Sequence, residues 1–262
     1  MNLRQMLTLP QVSRSAFKVW QRNFLYFKKN IGTSFFWIIF EPVVYLSAIG
    51  FGLGSFVNQM NGVSYIEFFF PALLSTTAMM IAFFEGTYRN YTKLTHQKTY
   101  TTIMLTKVGP DDIVIGELLW AASKAFIGVL GVTLIASFFG LVDSINILFV
   151  LPVLFLIAWL FSCLAMIVTS LAVNYDSFIY ATSGLIMPMS LLSGTYFPIE
   201  QLPGPVRFLS YLSPLSHGVS AVRSILKGDW NQWLIPHVLL LLILGFVAMQ
   251  FAIYRIKNKI LV

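Results

Sequence analysis

Four ionisable residues, Glu41, Glu67, Glu85 and Lys124, fall inside or at the edges of long apolar runs. A charge at the centre of an apolar helix in lipid costs about 2.5–3.5 kcal/mol on insertion scales, so each needs a partner or a route to water. Glu67 and Glu85 lie near opposite ends of one run, where reaching to the membrane surface satisfies them. Glu41, followed by Pro42, and Lys124 each lie about two turns from the same end of their own runs. Equal depth and opposite charge permit an ion pair between Glu41 and Lys124; the alternative is two side chains that reach water separately. His96, His217 and His237 occupy three different segments, which suggests no metal cluster. Cys163 is the sole cysteine and sits in an apolar run, so it forms no internal disulfide and no thiolate metal site. There is no nucleophile elbow and no exposed carboxylate pair. The chain also lacks any Gly-Lys dipeptide, and with it the phosphate-binding loop of an ATPase. These residues point away from catalysis, and the chain is expected to bind no cofactor or metal of its own.

The elements that hold them are membrane spans. Of the 262 residues, 57% are hydrophobic and only 10% charged, and the mean hydropathy is +0.78, far from a soluble domain. A crossing helix needs about 20 mostly apolar residues. Six windows qualify: Phe35 to Val57, Tyr65 to Tyr88, Gly116 to Leu141, Ile145 to Val173, Phe178 to Phe197 and Trp233 to Tyr254. The fold is therefore expected to be all-α, a polytopic membrane protein of six spans forming one domain over residues 1–262. The first apolar run starts too late for a cleaved signal peptide, so the whole chain is expected to be retained.

The net charge of +7 reflects topology, not nucleic-acid binding, because the basic residues punctuate hydrophobic spans. Thirteen of the seventeen fall on one side: before the first span, including Arg4, Arg14 and Arg22; between spans two and three, including Arg89 and Lys93; and after the last, including Lys257 and Lys259. Cytoplasmic loops hold such an excess, so both termini are expected in the cytoplasm.

Three polar pieces stand out. Residues 1–33 contain Phe17, Trp20, Phe24 and Phe27 at helical spacing with Arg14, Lys18 and Arg22 on another face, which reads as an interfacial helix with its cations toward lipid phosphate, or as a simple positive anchor. Residues 89–115 mix Tyr100, Ile103, Met104 and Leu105 with Lys and Thr before Gly109-Pro110 breaks the helix, and Asp111 or Asp112 can cap the helix that becomes span three. The stripe suits a groove on a soluble partner or packs back on the spans. Residues 198–230 hold two amphipathic pieces, Pro205 to Leu212 and Leu215 to Leu226, each too short to span and divided by Pro214. The aromatic run Tyr65 to Leu74 reads as an interfacial belt in preference to an acyl-chain contact.

The stretches "QKTYTTIMLT", "DDIVIGELLWAASKA", "NYDSFIYATSGLIMP" and "LLSGTYFPIEQLP" followed by "LSPLSHGVSAVR" resemble the permease subunits of type-2 ABC exporters, in particular the lipo-oligosaccharide, nodulation J-like branch. The similarity runs in order from "FEPVVYLSAIGFGLG" onward; the branch often has Thr-Pro where this chain has Thr106-Lys107. The resemblance implies a multi-pass protein of the bacterial inner membrane that moves an amphipathic lipid or glycolipid. It implies two copies of the permease with two copies of a separate ATPase that holds the ATP and magnesium. Tyr100, Ile103, Met104 and Leu105 would form the helix that couples to that ATPase. Short re-entrant helices between spans five and six would form an extracellular gate that includes Gly194, Phe197, Pro198, Pro203, Pro214 and His217. Membrane lipids are further expected partners and nucleic acid is not. Hydrophobic drugs or polysaccharide are alternative cargoes. Two other classes are alternatives: a membrane-embedded transferase acting on lipid-linked sugars, although the acidic residues are scattered, and a secondary transporter, although no internal repeat is visible.

Overall fold

The structure, a computed structural model, describes residues 10–261 except 58, 61 and 143, and leaves the side chains of residues 35, 37 and 261 aside. Arg4 and the first nine residues of the expected interfacial segment therefore lie outside the described residues.

The first helix, α1 (Ser15–Lys29), buries Ala16, Val19, Asn23 and Phe27; of the expected Phe17, Trp20, Phe24 and Phe27 stripe, Phe27 is buried and Trp20 and Phe24 are half-buried beside it and Trp120. Phe17 is exposed. The buried face also takes in Ala16 and Val19, which seat against Gly116 of the third span, where no Cβ stands in the way. Helix α2 (Ile31–Tyr45) runs through Pro42 into a π turn, Leu46–Gly52, and a 3₁₀ turn, Leu53–Ser55. A small antiparallel hairpin follows, with β1 (Gln59–Met60) paired to β2 (Val63–Ser64) and Gly62 at φ +78°. It is the one departure from an all-helical chain among the described residues.

Ser64 and Glu67 then open α3 (Tyr65–Phe84) with a reciprocal capping box, Glu67 Oε2 accepting from the Ser64 amide at 3.0 Å. The rings of Tyr65, Phe68, Phe69 and Phe70 are buried at 3% exposure or less, so this run is protein core, not a lipid-facing belt. The same helical path continues through π turns at Glu85–Arg89 and Thr92–His96. A short α4 (Thr99–Met104) precedes α5 (Pro110–Phe138), whose first helical residue is proline, as suits a position with no amide partner. Helix α6 (Ile147–Leu171) follows.

The expected fifth span is α7 (Asp176–Ala181), a π turn (Thr182–Ile186) and α8 (Met187–Leu192) in succession. Among the described residues, five helical paths are long and apolar enough to cross a membrane, and this one, shorter, is not among them. Then come a 3₁₀ turn (Ile199–Gln201), α9 (Gly204–Leu212), α10 (Pro214–Leu226) and α11 (Leu234–Leu261).

The core lies where α3, α5, α6 and α10 meet, with Phe69, Phe83, Leu118, Phe161 and Val222 in one apolar cluster. Several glycines permit close approach between helices; a Cβ at Gly50 would lie 3.0 Å from Ile66. Gly86 packs on Ala165, and Gly218 on Ile157. None of the described residues would come within 4 Å of a Cβ at Gly52 or Gly184.

Candidate functional site

Two buried carboxylates organise the end of the bundle where α1, α3 and α5 meet. Glu117, on α5, is fully buried. It accepts from Arg22 Nη2 at 2.7 Å, from Asn23 Nδ2 at 2.9 Å and from Lys93 Nζ. Glu85, 4% exposed at the start of the first π turn of the α3 path, accepts from Lys124 Nζ at 2.6 Å and Trp120 Nε1 at 2.8 Å, with Arg89 Nε 3.5 Å away. A lone buried charge in such a place would be unstable, and here each carries several donors.

The Glu41–Lys124 pair is thus replaced by a Glu85–Lys124 pair. Glu41 is exposed on α2 and lines a groove beside Tyr45 and Thr77. Depth along the membrane normal did not fix which helix α5 turns toward with Lys124; α3 packs directly on α5 and brings Glu85 to it. Glu85 likewise does not reach to the surface. Glu117 carries no signal in the sequence beyond being an acid three residues before a tryptophan in an apolar helix. Intramembrane acids are functional or paired by default, and that rule would have flagged it.

The same end of the bundle gathers the first and last described segments. Asp111 accepts from the Gln11 amide at 3.0 Å and Lys257 Nζ at 3.2 Å. Asp112 accepts from the Ser13 amide and hydroxyl at 2.6 and 2.8 Å and reaches back to the Gly109 amide at 3.3 Å, so the expected cap is made by Asp112. Lys259 donates to the carbonyls of Ser170 at 3.1 Å and Ala172 at 3.0 Å, which closes the open end of α6.

On α4 the expected stripe divides. Tyr100 is fully buried against Val19 and Ile113, Ile103 and Met104 are half-buried, and Leu105 is 85% exposed. Tyr100 therefore packs back on the bundle and Leu105 faces outward. The Tyr100 hydroxyl has no hydrogen-bond partner among the described residues, and burial first, then the Glu117 charge, pushes its pKa well above the ordinary phenol value.

At the opposite end, Gly194 ends α8 at φ +74°, a left-handed position that suits glycine. Phe197 is half-buried, Pro198 and Pro214 are buried, and Pro203 is exposed. His217 meets His237 of α11, Nδ1 to Nδ1 at 2.8 Å, and its Nε2 lies 2.9 Å from the Tyr211 carbonyl. If Nε2 carries the hydrogen for that carbonyl, His217 Nδ1 is the acceptor and His237 Nδ1 the donor. Two histidines that are distant in sequence are thereby joined. Arg223, which the sequence marks only as a stray cation, donates to the carbonyls of Phe68 at 3.1 Å and Gly194 at 2.9 Å and stacks over the Phe68 ring at 4.0 Å. Tyr65 donates to the Tyr196 carbonyl at 3.2 Å. The segment after α8 is therefore fastened to the first turn of α3.

A groove of about 210 Å³ runs between α2, α3 and α8, lined by Glu41, Tyr45, Thr76, Thr77, Ser190 and Tyr196 among apolar neighbours. Apolar helices long enough to span, a buried charge cluster at one end and a fastened irregular segment at the other define a polytopic membrane protein. The chain belongs to the ABC-2 type transporter family, whose model matches residues 15–227. It is 39% identical over 211 residues to nodulation protein J of Rhizobium meliloti strain 1021, covering 80% of each chain. It is 34% identical over 243 residues to nodulation protein J of Sinorhizobium fredii, covering 93% of each. It is 25% identical over 186 residues to the inner membrane transport permease YadH of Escherichia coli K12, covering 71% of this chain and 72% of that one. No solved structure gives a significant match.

Proposed function

We propose that this permease is the membrane half of an ATP-driven exporter, that it works as a two-fold pair with two copies of a separate ATPase, and that its cargo is an amphipathic glycolipid of the lipo-oligosaccharide kind. The observation that carries the cargo is the groove between α2, α3 and α8. Its wall is apolar and aromatic, with one carboxylate, Glu41, and the hydroxyls of Thr76, Thr77 and Ser190. Such a lining suits a molecule with an acyl chain and hydroxylated rings better than an all-polar polysaccharide. The relatives named for nodulation support the same class.

Six crossings require Asp176–Leu192 to cross. Its three pieces hold six, five and six residues, about 25 Å of helix at 1.5 Å per residue, close to a hydrocarbon core of about 30 Å. The meeting of Gln11, Ser13 and Lys257 at Asp111 and Asp112 supports both termini on one side, and the excess of Lys and Arg there supports that side being the cytoplasm of a bacterial inner membrane. Residues 198–230 then form the extracellular re-entrant gate, with Arg223 as its fastening. Gly52 and Gly184, open on the outside of the α2 and α7–α8 paths, suit the face that meets the second copy. Leu105, flanked by Ile103 and Met104, is the contact for the ATPase, which supplies ATP and magnesium.

The test is reconstitution of the permease with its co-purifying ATPase in proteoliposomes. ATP-dependent movement of a fluorescent lipo-oligosaccharide, lost in Glu41→Ala but with ATPase activity retained, supports the reading. Transport that continues without ATP or without the second subunit overturns it.

A further inference from the structure

A second opening, unused by the transport reading, lies where α1 faces the last turns of the α3 path. It is a cavity of about 540 Å³ lined by Arg22, Tyr26, Arg89, Thr92, Lys93 and Gln97 with three neighbours. Three cations therefore border one opening. The charge around it does not balance internally. Arg22 and Lys93 share the single carboxylate of Glu117, while Lys124 and Arg89 share that of Glu85. Four cations against two carboxylates leave a surplus of two positive charges in a partly buried place.

The donors are also incompletely used. Arg22 Nη1 is buried and has no acceptor among the described residues, although a guanidinium has five N–H groups to satisfy. Arg89 lies over the Tyr26 ring, 4.8 Å from its centroid, and its contact with Glu85 at 3.5 Å is long. An anion with several acceptor oxygens would supply the bonds these donors lack and would offset the surplus charge.

We propose that this cavity binds the phosphate headgroup of an anionic membrane phospholipid. The source is lipid and not a soluble anion because the helix that forms one wall is amphipathic and leaves Phe17, Leu25 and Tyr26 more than half exposed, an apolar surface suited to the membrane interface. Basic pockets between helices on the cytoplasmic side of a membrane protein recognise headgroups of this kind. The site stands on the surface placement of α1 and is independent of the cargo.

Gln97 provides the test, since it is exposed at the rim and its isosteric acid adds one negative charge without touching the core. The purified full chain, in detergent, is titrated with phosphatidylglycerol, with zwitterionic phosphatidylcholine and with inorganic phosphate, and bound lipid is read by native mass spectrometry alongside the thermal unfolding midpoint. The expected result is phosphatidylglycerol retained by the wild type, roughly tenfold less by Gln97→Glu and less by Arg89→Gln, with phosphatidylcholine not retained. Equal retention by wild type and Gln97→Glu overturns the site. Equal retention of phosphatidylcholine overturns its preference for anionic lipid, and equal stabilisation by inorganic phosphate overturns the lipid source.

Discussion

Glu117 and Glu85 hold four cations between α1, α3 and α5, and their removal should weaken the protein far more than the loss of any exposed charge. Glu117→Ala leaves Arg22 and Lys93 facing each other without a counter-charge, a change that costs about 3–5 kcal/mol when a buried pair is broken. A marked fall in the unfolding midpoint in detergent checks this. Lys124→Met should be damaging for the same reason, whereas Glu41→Gln should leave the midpoint unchanged, because Lys124 bonds to Glu85 and Glu41 lies open in the groove. Equal effects of these two changes would contradict the pairing. Tyr100 gives a signed pH effect. Its folded pKa is raised by burial, so the contribution is present below the ordinary phenol value near 10 and is lost as pH climbs above it. Tyr100→Phe should therefore flatten the alkaline fall in stability and cost little at neutral pH, since the hydroxyl it removes has no partner among the described residues.

Short elements divide their residues between packing and contact, and α4 shows how. Leu105→Asp should leave the folded chain intact and abolish co-purification of the ATPase, while Tyr100→Asp should lower the yield of folded protein itself, which size-exclusion profiles would separate. The sequence made this helix visible through the Gly109-Pro110 break and its apolar stripe, but not its rotation, because six residues hold too few turns for periodicity to fix a face. A different limit holds for α1, fifteen residues long: part of its buried face is set by the gap at Gly116 on another helix, which its own periodicity does not show. That limit explains Lys124 as well: depth follows from counting residues, but azimuth follows from neighbours. The long spans were readable because length and hydropathy alone define them. The short pieces after α8 were readable because proline and shortness mark them, yet Arg223 was not, since its acceptors are the carbonyls of Phe68 and Gly194, distant in sequence.

For the molecule as a whole, the outward faces of the α2 and α7–α8 paths predict the pairing surface. A cysteine placed at Gly52 should cross-link two copies under mild oxidation, while the native Cys163, fully buried, should not react; a monomeric product from Gly52→Cys and from Gly184→Cys would argue against this face. The composition made the membrane class plain and the ordered motifs made the family plain, whereas the buried charges at the end where α1, α3 and α5 meet required the packing. That packing also bears on how the protein is made. Lys257, which neutralises Asp111, and Lys259, which closes the end of α6, belong to a helix synthesised after both of the elements they complete. Until α11 is inserted, the start of α5 and the end of α6 lack these partners, so this face closes only after the last described helix has packed. A chain stalled before α11 would therefore present Asp111 without Lys257 and the last carbonyls of α6 without Lys259, an unfinished surface.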